Sequence, residues 1–286
     1  MRGNSHNRQK TILDNRGGYL YYIRIVSKRR RTPLEIITSR QNPLAAQIRK
    51  LNSSRSARRE AGLFPAEGPK LLDEALRAGV HIRTVIAARG TEVPCPEGAR
   101  QVEVPPDLLK SLCDTQTPQG VLFLAQMPDT TPAERLEGDR WLVLDGLQDP
   151  GNVGTIWRAA DALGADGLIL VNSCADPFSP KTVRATMGAC FRLPVYEVEA
   201  DALPGLLERS GLPLYATALR EDTVDIKTAQ LDRCAVVIGS EGRGVSPELL
   251  RLSERTVKIP MRERCESLNA AVAAAIVLWE MGRGRL

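Results

Sequence analysis

From Trp141 onward the chain alternates short, wholly apolar runs with longer stretches whose apolar residues recur every three to four positions. The runs WLVLD (Trp141 to Asp145), GLILV (Gly167 to Val171), LPVYEV (Leu193 to Val198), LYATAL (Leu214 to Leu219), AVVIG (Ala235 to Gly239) and VKIP (Val257 to Pro260) suit strands buried on both faces. Between them, Val153 to Leu163, Pro180 to Ala189, Leu203 to Ser210, Pro247 to Leu252 and Leu268 to Met281 carry helical spacing. This alternation predicts an α/β domain with a mainly parallel sheet and helices on both faces.

Before it, Ile36 to about Gln126 shows a smaller α/β pattern. Asn42 to Leu51 and Glu67 to Ala78 are expected helices, His81 to Ala87 and Gly120 to Ala125 expected strands, and SSRSARREAGLFPAEG (Ser53 to Gly68) a basic loop. Residues 127–139, polar and Pro-containing, form the expected linker. Residues 1–33 have no sustained period, end in the basic cluster KRRR before Thr32, and are expected to be a disordered tail.

Composition narrows the chemistry. Of the 286 residues, 43% are hydrophobic and 26% charged, and no apolar run reaches the roughly 20 residues that span a bilayer. Six cysteines without a C-x-x-C pair leave no zinc or redox motif and suit a reducing, cytoplasmic setting. With only His6 and His81, neither near a polar cluster, a Ser-His-Asp triad or a His-rich metal site is hard to build, and no metal is expected. The formal charge of +5 is uneven: residues 1–60 hold 15 Lys or Arg against Asp14, Glu35 and Glu60. Such a basic start suits contact with a polyanion, or a solubilising tail.

Three polar clusters fall at predicted strand ends, where ligands bind in open α/β sheets. In LDGLQDPGNVGTIWRAADALGADG, Asn152 is placed to cap a helix with the stripe Val153, Ile156, Trp157, Ala160 and Leu163, and Arg158 lies off that stripe. The glycines are not spaced G-x-G-x-x-G and no acidic residue ends the next strand, so a nicotinamide site is disfavoured. In VVIGSEGRGVSPELL, Gly239, Gly242 and Gly244 surround Glu241, and the Gly-Lys-Ser/Thr ending of a P-loop is missing. A turn needing positive φ explains those glycines and leaves Glu241 without a reason. In KIPMRERCESLNAAVAAAIVLWE, Ser267 and Asn269 precede a helix that is apolar nearly all round and so expected to be buried. Capping needs one of the two.

Taken together, N-V-G-T-I-x-R-A-A, I-G-S-E-G-x-G-V and I-P-M-x-x-x-x-x-S-L-N-A-A-V-A-A-A-I resemble the three ordered motifs of the SpoU/TrmH family of RNA 2′-O-ribose methyltransferases. The stretch Thr38 to Gly68 is similar to the substrate-binding domain that many members carry, so the resemblance covers about Ile36 to Leu286. It implies a SPOUT fold whose parallel sheet (residues 140–286) contains a deep trefoil knot, a preceding RNA substrate-binding domain (residues 34–126), S-adenosylmethionine as methyl donor, and a homodimer through the methyltransferase domain. Periodicity shows none of this, and topology rules alone argue against a knot. By residue-wise transfer, Asn152, Arg158, Glu241, Ser267 and Asn269 form the catalytic constellation. Thr217, Ala218, Leu219, Gly239, Glu241, Gly244, Ile259, Met261, Ser267 and Leu268 are the cofactor candidates, and Arg40, Arg49, Lys50, Arg55, Arg58, Arg59 and Arg158 the RNA-binding ones. A guanidinium stays protonated far above neutral pH, so Arg158 is assigned to the target phosphate and to helping activate the hydroxyl rather than to simple base catalysis. The expected substrate is a structured RNA, large-subunit ribosomal RNA ahead of transfer RNA. The rival reading is a non-catalytic RNA-binding or ribosome-assembly factor on the same fold, which predicts little or no cofactor binding.

Overall fold

A computed structural model describes residues 34–218, 220, 223–262, 264 and 267–283, so the expected tail over residues 1–33 lies outside the described residues. The N-terminal half contains β1 (Leu34–Ile36), α1 (Pro43–Ser53), α2 (Arg55–Ala61), β2 (Leu63–Glu67), α3 (Pro69–Arg77), β3 (Ile82–Ala88), β4 (Arg100–Val104), α4 (Pro106–Leu112) and β5 (Val121–Gln126). The C-terminal half contains β6 (Arg140–Asp145), α5 (Pro150–Ala162), β7 (Gly167–Val171), α6 (Pro180–Thr186), β8 (Val195–Glu197), α7 (Leu203–Ser210), β9 (Leu214–Thr217), β10 (Val224–Asp225), β11 (Cys234–Gly239), α8 (Pro247–Leu252), β12 (Arg255–Lys258) and α9 (Ala270–Met281).

The first sheet runs β1-β4-β3-β5-β2, with β5 antiparallel to both neighbours and the other pairings parallel. The second runs β10-β12-β9-β11-β6-β7-β8, and all its pairings are parallel, as the unbroken apolar runs predict. One face of it packs against α7 and α8 through Leu203, Leu206, Leu207 and Leu249. The other packs against α5, α6 and α9 through Val153, Ile156, Trp157, Val183, Ala274 and Val277.

Several expectations need correction. The segment read as a basic loop folds into α2 and β2, because Ser54 caps α2 by accepting from Ala57 N and Gly62 ends it at φ 62°. Asn152 is no cap: Asp149 holds that position and accepts from Gly151 N at 2.5 Å, which places Asn152 inside α5. That backbone N–H, with Lys181 nearby, holds the Asp149 carboxyl below its ordinary value. Helix α9 is not buried all round, since Val272 and Trp279 are 49% and 58% exposed. The pattern also gave no warning of β1, β4, α4 and β10, which are short or, like RQVEV, alternate charge with apolar residues.

Glycine 154 decides how closely two helices meet. A Cβ there would lie 2.5 Å from the Thr182 carbonyl oxygen and 2.6 Å from the Ala185 Cβ, so α5 and α6 touch through a residue without a side chain.

The two halves share one core. Phe64 of β2 packs against Phe178, with ring centroids 5.0 Å apart, and Phe178 meets Trp157 edge-on at 6.0 Å. Each such aromatic pair contributes about 0.5–1.5 kcal/mol beyond its buried area. Ion pairs surround this contact: Arg55 and Arg59 meet Glu197, Arg184 meets Asp114 at 2.9 Å, and Arg192 meets Glu74. These pairs are partly exposed and stabilise little. Arg58 differs, being 3% exposed, bonded to Asp176 and donating to the Leu51 and Asn52 carbonyls. Truncating one partner of a buried pair leaves the other charge unpaired, so Arg58→Ala is expected to lower unfolding stability in urea titrations by about 3 kcal/mol. Equal stability of variant and parent would rule out that role.

Candidate functional site

The carboxyl ends of β6, β11 and β12 carry the three polar clusters, and packing brings most of their residues together. In α5, Asn152 lies two positions past the first turn's Pro150, on the side facing the α9 start. Its Nδ2 donates to Glu241 Oε1, and its Oδ1 accepts from Asn269 Nδ2 at 3.2 Å. Residues 89 and 117 positions distant in the chain thus form one hydrogen-bonded row, Asn269 to Asn152 to Glu241.

Asn269 holds its end of the row and caps a helix at once. Its Oδ1 accepts from Ala271 N at 2.9 Å and Val272 N at 3.3 Å, while its Nδ2 faces Asn152. Serine in that place could supply the first function but not the second, because its hydroxyl ends one bond short of the amide nitrogen that reaches Asn152. Ser267 is therefore not needed as a cap, and it stands exposed beside the pocket described below.

The loop bearing Glu241 doubles back on itself. Ser240 N donates to Gly244 O at 3.1 Å and Gly244 N to Ser240 O at 2.8 Å, with Gly244 at φ 68°. A Cβ on Gly239 would overlap the backbone of Gly244 and Val245, so the strand end must be glycine for the loop to fold over it.

A residue outside the predicted constellation anchors this arrangement. Asp145, 4% exposed at the end of β6, accepts from Ser246 N and from Asn172 Nδ2, both at 2.6 Å. It thereby joins the first strand-end loop to the second, and Asn172 meets it from a left-handed conformation at φ 54°. A polar residue closing a buried strand was the available sequence signal. Gln148 also bridges neighbouring loops, donating to the Gly146 and Ser173 carbonyls at 3.1 and 2.8 Å.

Next to the row lies a pocket of about 180 Å³. Thr217, Ala218, Ile259, Met261, Ser267 and Leu268, all cofactor candidates, line it. Val257, Lys258 and Ala273, none of them among the cofactor candidates, complete the wall. Thr217 Oγ1 donates to Val237 O at 2.8 Å, tying the ends of β9 and β11 at the pocket edge. Gly239, Gly244 and Glu241 belong to the adjoining loop rather than to the lining, and Leu219 lies outside the described residues. Apolar side chains around strand-end backbone suit a flat heteroaromatic ring, and the volume, below the ~300–1,000 Å³ of complete small-molecule sites, suits the adenosine part of a larger ligand.

Arg158 stands apart. It is exposed on α5, without a hydrogen bond or ion pair among the described residues, and six positions along the helix turn it away from Asn152. Burial pushes the Cys174 thiol, below the Gly146 loop, up to about 11, so that thiol stays neutral. Among the described residues no group of His, Cys, Asp and Glu could hold a metal ion.

The basic candidates of the N-terminal half divide. Lys50 is exposed without a partner, Arg40 pairs at the surface with Asp107 at 3.0 Å, and Arg49 donates to the Arg40 carbonyl at 2.9 Å. Arg55, Arg58 and Arg59 instead face the other half of the protein through Glu197 and Asp176. Buried as it is, Arg58 offers no surface to RNA, which corrects its place among those candidates.

Comparison with known proteins matches a separate family model to each half of the chain. The SpoU rRNA Methylase family model matches residues 139–279, and the MRM3-like substrate binding domain model matches residues 42–123. The 23S rRNA (guanosine(2553)-2′-O)-methyltransferase RlmP of Bacillus subtilis (strain 168) is 32% identical, over 86% of this chain and 98% of its own length. The AdoMet-bound rRNA methyltransferase from Sinorhizobium meliloti superposes with a TM-score of 0.76 at 33% identity, over 88% of this chain and 99% of that one. AviRb from Streptomyces viridochromogenes, a SpoU methyltransferase in complex with AdoMet, gives 0.75 at 30% identity, over 86% and 98%. With its strand-end motifs on one parallel sheet and relatives matched along almost their whole length, this chain belongs to the SpoU rRNA methylase family.

Proposed function

We propose that the protein transfers a methyl group from S-adenosylmethionine to a ribose 2′-hydroxyl of 23S ribosomal RNA. The observation that carries this reading is the hydrogen-bonded row of Asn269, Asn152 and Glu241 set beside the apolar pocket at the strand ends. Thr217, Ala218, Ile259, Met261 and Leu268 would hold the adenosine part of the cofactor, and Ser267 its polar rim. When bound, S-adenosylmethionine supplies an electrophilic methyl group on a sulfonium centre.

The residues of the chain position the other reactant. Asn152 and Asn269 fix each other and Glu241, so the carboxylate meets the RNA in one orientation, which removes the entropy of aligning two partners. Arg158, charged, exposed and turned away from the row of its own chain, acts across the homodimer proposed below, where it binds the target phosphate and stabilises negative charge growing on the ribose oxygen. Lys50, Arg40 and Arg49 add affinity that does not depend on sequence.

Two further features belong to this reading. Val272 and Trp279 leave an apolar stripe exposed on α9, which supports a homodimer through this helix. β12 lies between β10 and β9 in the sheet while α9 packs back against α5, an order that supports the knotted C-terminal segment. A reducing, cytoplasmic setting suits the cysteines, all free among the described residues, and among those residues no helix is long and apolar enough to cross a membrane.

Calorimetry with S-adenosylmethionine and mass spectrometry of ribose methylation in 23S rRNA from cells with and without the gene test the activity together. Cofactor binding and one methylated ribose that disappears with the gene are the expected results. A protein that binds RNA but no cofactor would instead be an assembly factor on this fold. In sedimentation equilibrium the parent should be dimeric and Trp279→Glu monomeric; a monomeric parent would remove the dimer from the reading.

A further inference from the structure

A second cleft opens in the N-terminal half, away from the row and its pocket. It measures about 620 Å³ and lies between α1, the α2–β2 junction and the start of β3. Arg83, Arg100 and His81 bring positive or ionisable nitrogen to it, Gln47 and Gln126 bring amides, and Leu44 and Leu124 form apolar floor. No acidic residue lines it.

The backbone aims Arg83 deliberately. The β3–β5 register slips between Ile82 and Thr84, which leaves Arg83 as the extra residue of a bulge and turns it outward. Bulges of this kind re-aim a side chain, and they gather beside functional sites. The Arg83 side chain has no hydrogen bond or ion pair among the described residues, so its whole fork of donors is free at the cleft it lines. Arg100 is oriented by Glu35, which accepts from its Nε and Nη2 at 2.8 Å each and leaves Nη1 unengaged. That carboxylate also holds the Arg100 guanidinium above its ordinary value, so the charge persists at any working pH. Lys50 lies three residues past Gln47 on α1, hence on the same helix face, and extends the positive field along the rim.

Cations at a mouth, amides within and an apolar floor match one ligand chemistry: an unpaired nucleotide, whose phosphate meets guanidinium groups while its base is read on its edges by amides. The volume falls within the ~300–1,000 Å³ usual for a ligand of that size. We propose that this cleft takes a flipped-out or single-stranded nucleotide of the RNA substrate and so sets where on the RNA the enzyme docks. Arg83 and Arg100 hold the phosphate, and Gln47 and Gln126 read the base. The inference rests on the proposed RNA substrate, but it names residues outside the motifs on which that activity depends.

The test uses the full chain with a 23S rRNA transcript in filter-binding titrations across salt. Arg83→Ala should weaken binding about tenfold and reduce the salt slope by about one. Ala61→Trp, at the exposed end of α2 beside the cleft, should obstruct it and weaken binding with the salt slope unchanged. Both should bind S-adenosylmethionine like the parent and melt at the parent temperature, which separates a lost contact from a lost fold. A transcript carrying 4-thiouridine should photo-crosslink to the peptide containing residues 81–84. If both variants bind RNA as the parent does, or crosslinks fall only outside the cleft, the inference is overturned. If the parent binds no cofactor and methylates nothing, the proposed activity fails instead, and the binding titrations still decide about the cleft.

Discussion

Arg158→Ala should leave S-adenosylmethionine affinity unchanged and lower the single-turnover rate of ribose methylation by about 10²- to 10³-fold, the usual effect of removing one donor aimed at developing negative charge. The expectation follows from placement. Arg158 touches neither the pocket lining nor the Asn269–Asn152–Glu241 row, so its loss disturbs neither. It is exposed on α5 and bonds to nothing among the described residues, so stability should change by less than about 0.5 kcal/mol. Arg158→Lys should recover only part of the rate, because an ammonium keeps the charge and loses the two-pronged geometry that suits a phosphate. Parent-like turnover of the alanine variant would end the catalytic assignment. A fall in cofactor affinity equal to the fall in rate would move Arg158 to the binding of the methyl donor.

Asn269 separates capping from catalysis. Asn269→Ser keeps an oxygen able to accept from Ala271 N and Val272 N, so α9 should begin where it does now and melting should barely move. The variant lacks the amide donor to Asn152, which frees Asn152 and, through it, Glu241. Misplacement of a positioning group by about an ångström costs on the order of 100-fold in rate, and a loss of that size is expected with cofactor affinity retained. Asn269→Ala should lose the same activity and in addition about 1 kcal/mol of stability, the typical worth of a cap. If the serine variant turns over like the parent while the alanine variant is merely less stable, Asn269 is a cap and nothing more.

The basic segment around Arg58 shows where local reading misleads. Ser-Ser-Arg-Ser-Ala-Arg-Arg resembles a solvated, RNA-facing loop in sequence because three of its seven residues are arginine and none is large and apolar. In the structure it is a capped helix whose arginines meet Glu197 and Asp176, residues more than 110 positions away. Charge predicted that these residues would meet anions, without saying whether the anion was phosphate or carboxylate. The expected linker tells a similar story, since Leu136 is buried and its N–H donates to Ser210 Oγ at 2.9 Å.

What the amino-acid order determined alone is periodic or motif-bound. Unbroken apolar runs specified buried parallel strands, helical spacing specified the faces of α5 and α7, and three ordered motifs specified the residue types of the site. These are short-range signals, set by the two-residue and 3.6-residue periods of the backbone. Which residues would meet was decided in three dimensions. Asn152 became a partner of Glu241 and Asn269 only because Asp149 took the cap and because Gly239 let a loop fold over the strand end. Asp145 gained its place as anchor from the N–H of Ser246, 101 positions away. Hydrogen bonds reach about 3 Å and carry no memory of sequence distance, so their partners are fixed by packing and lie beyond any local pattern.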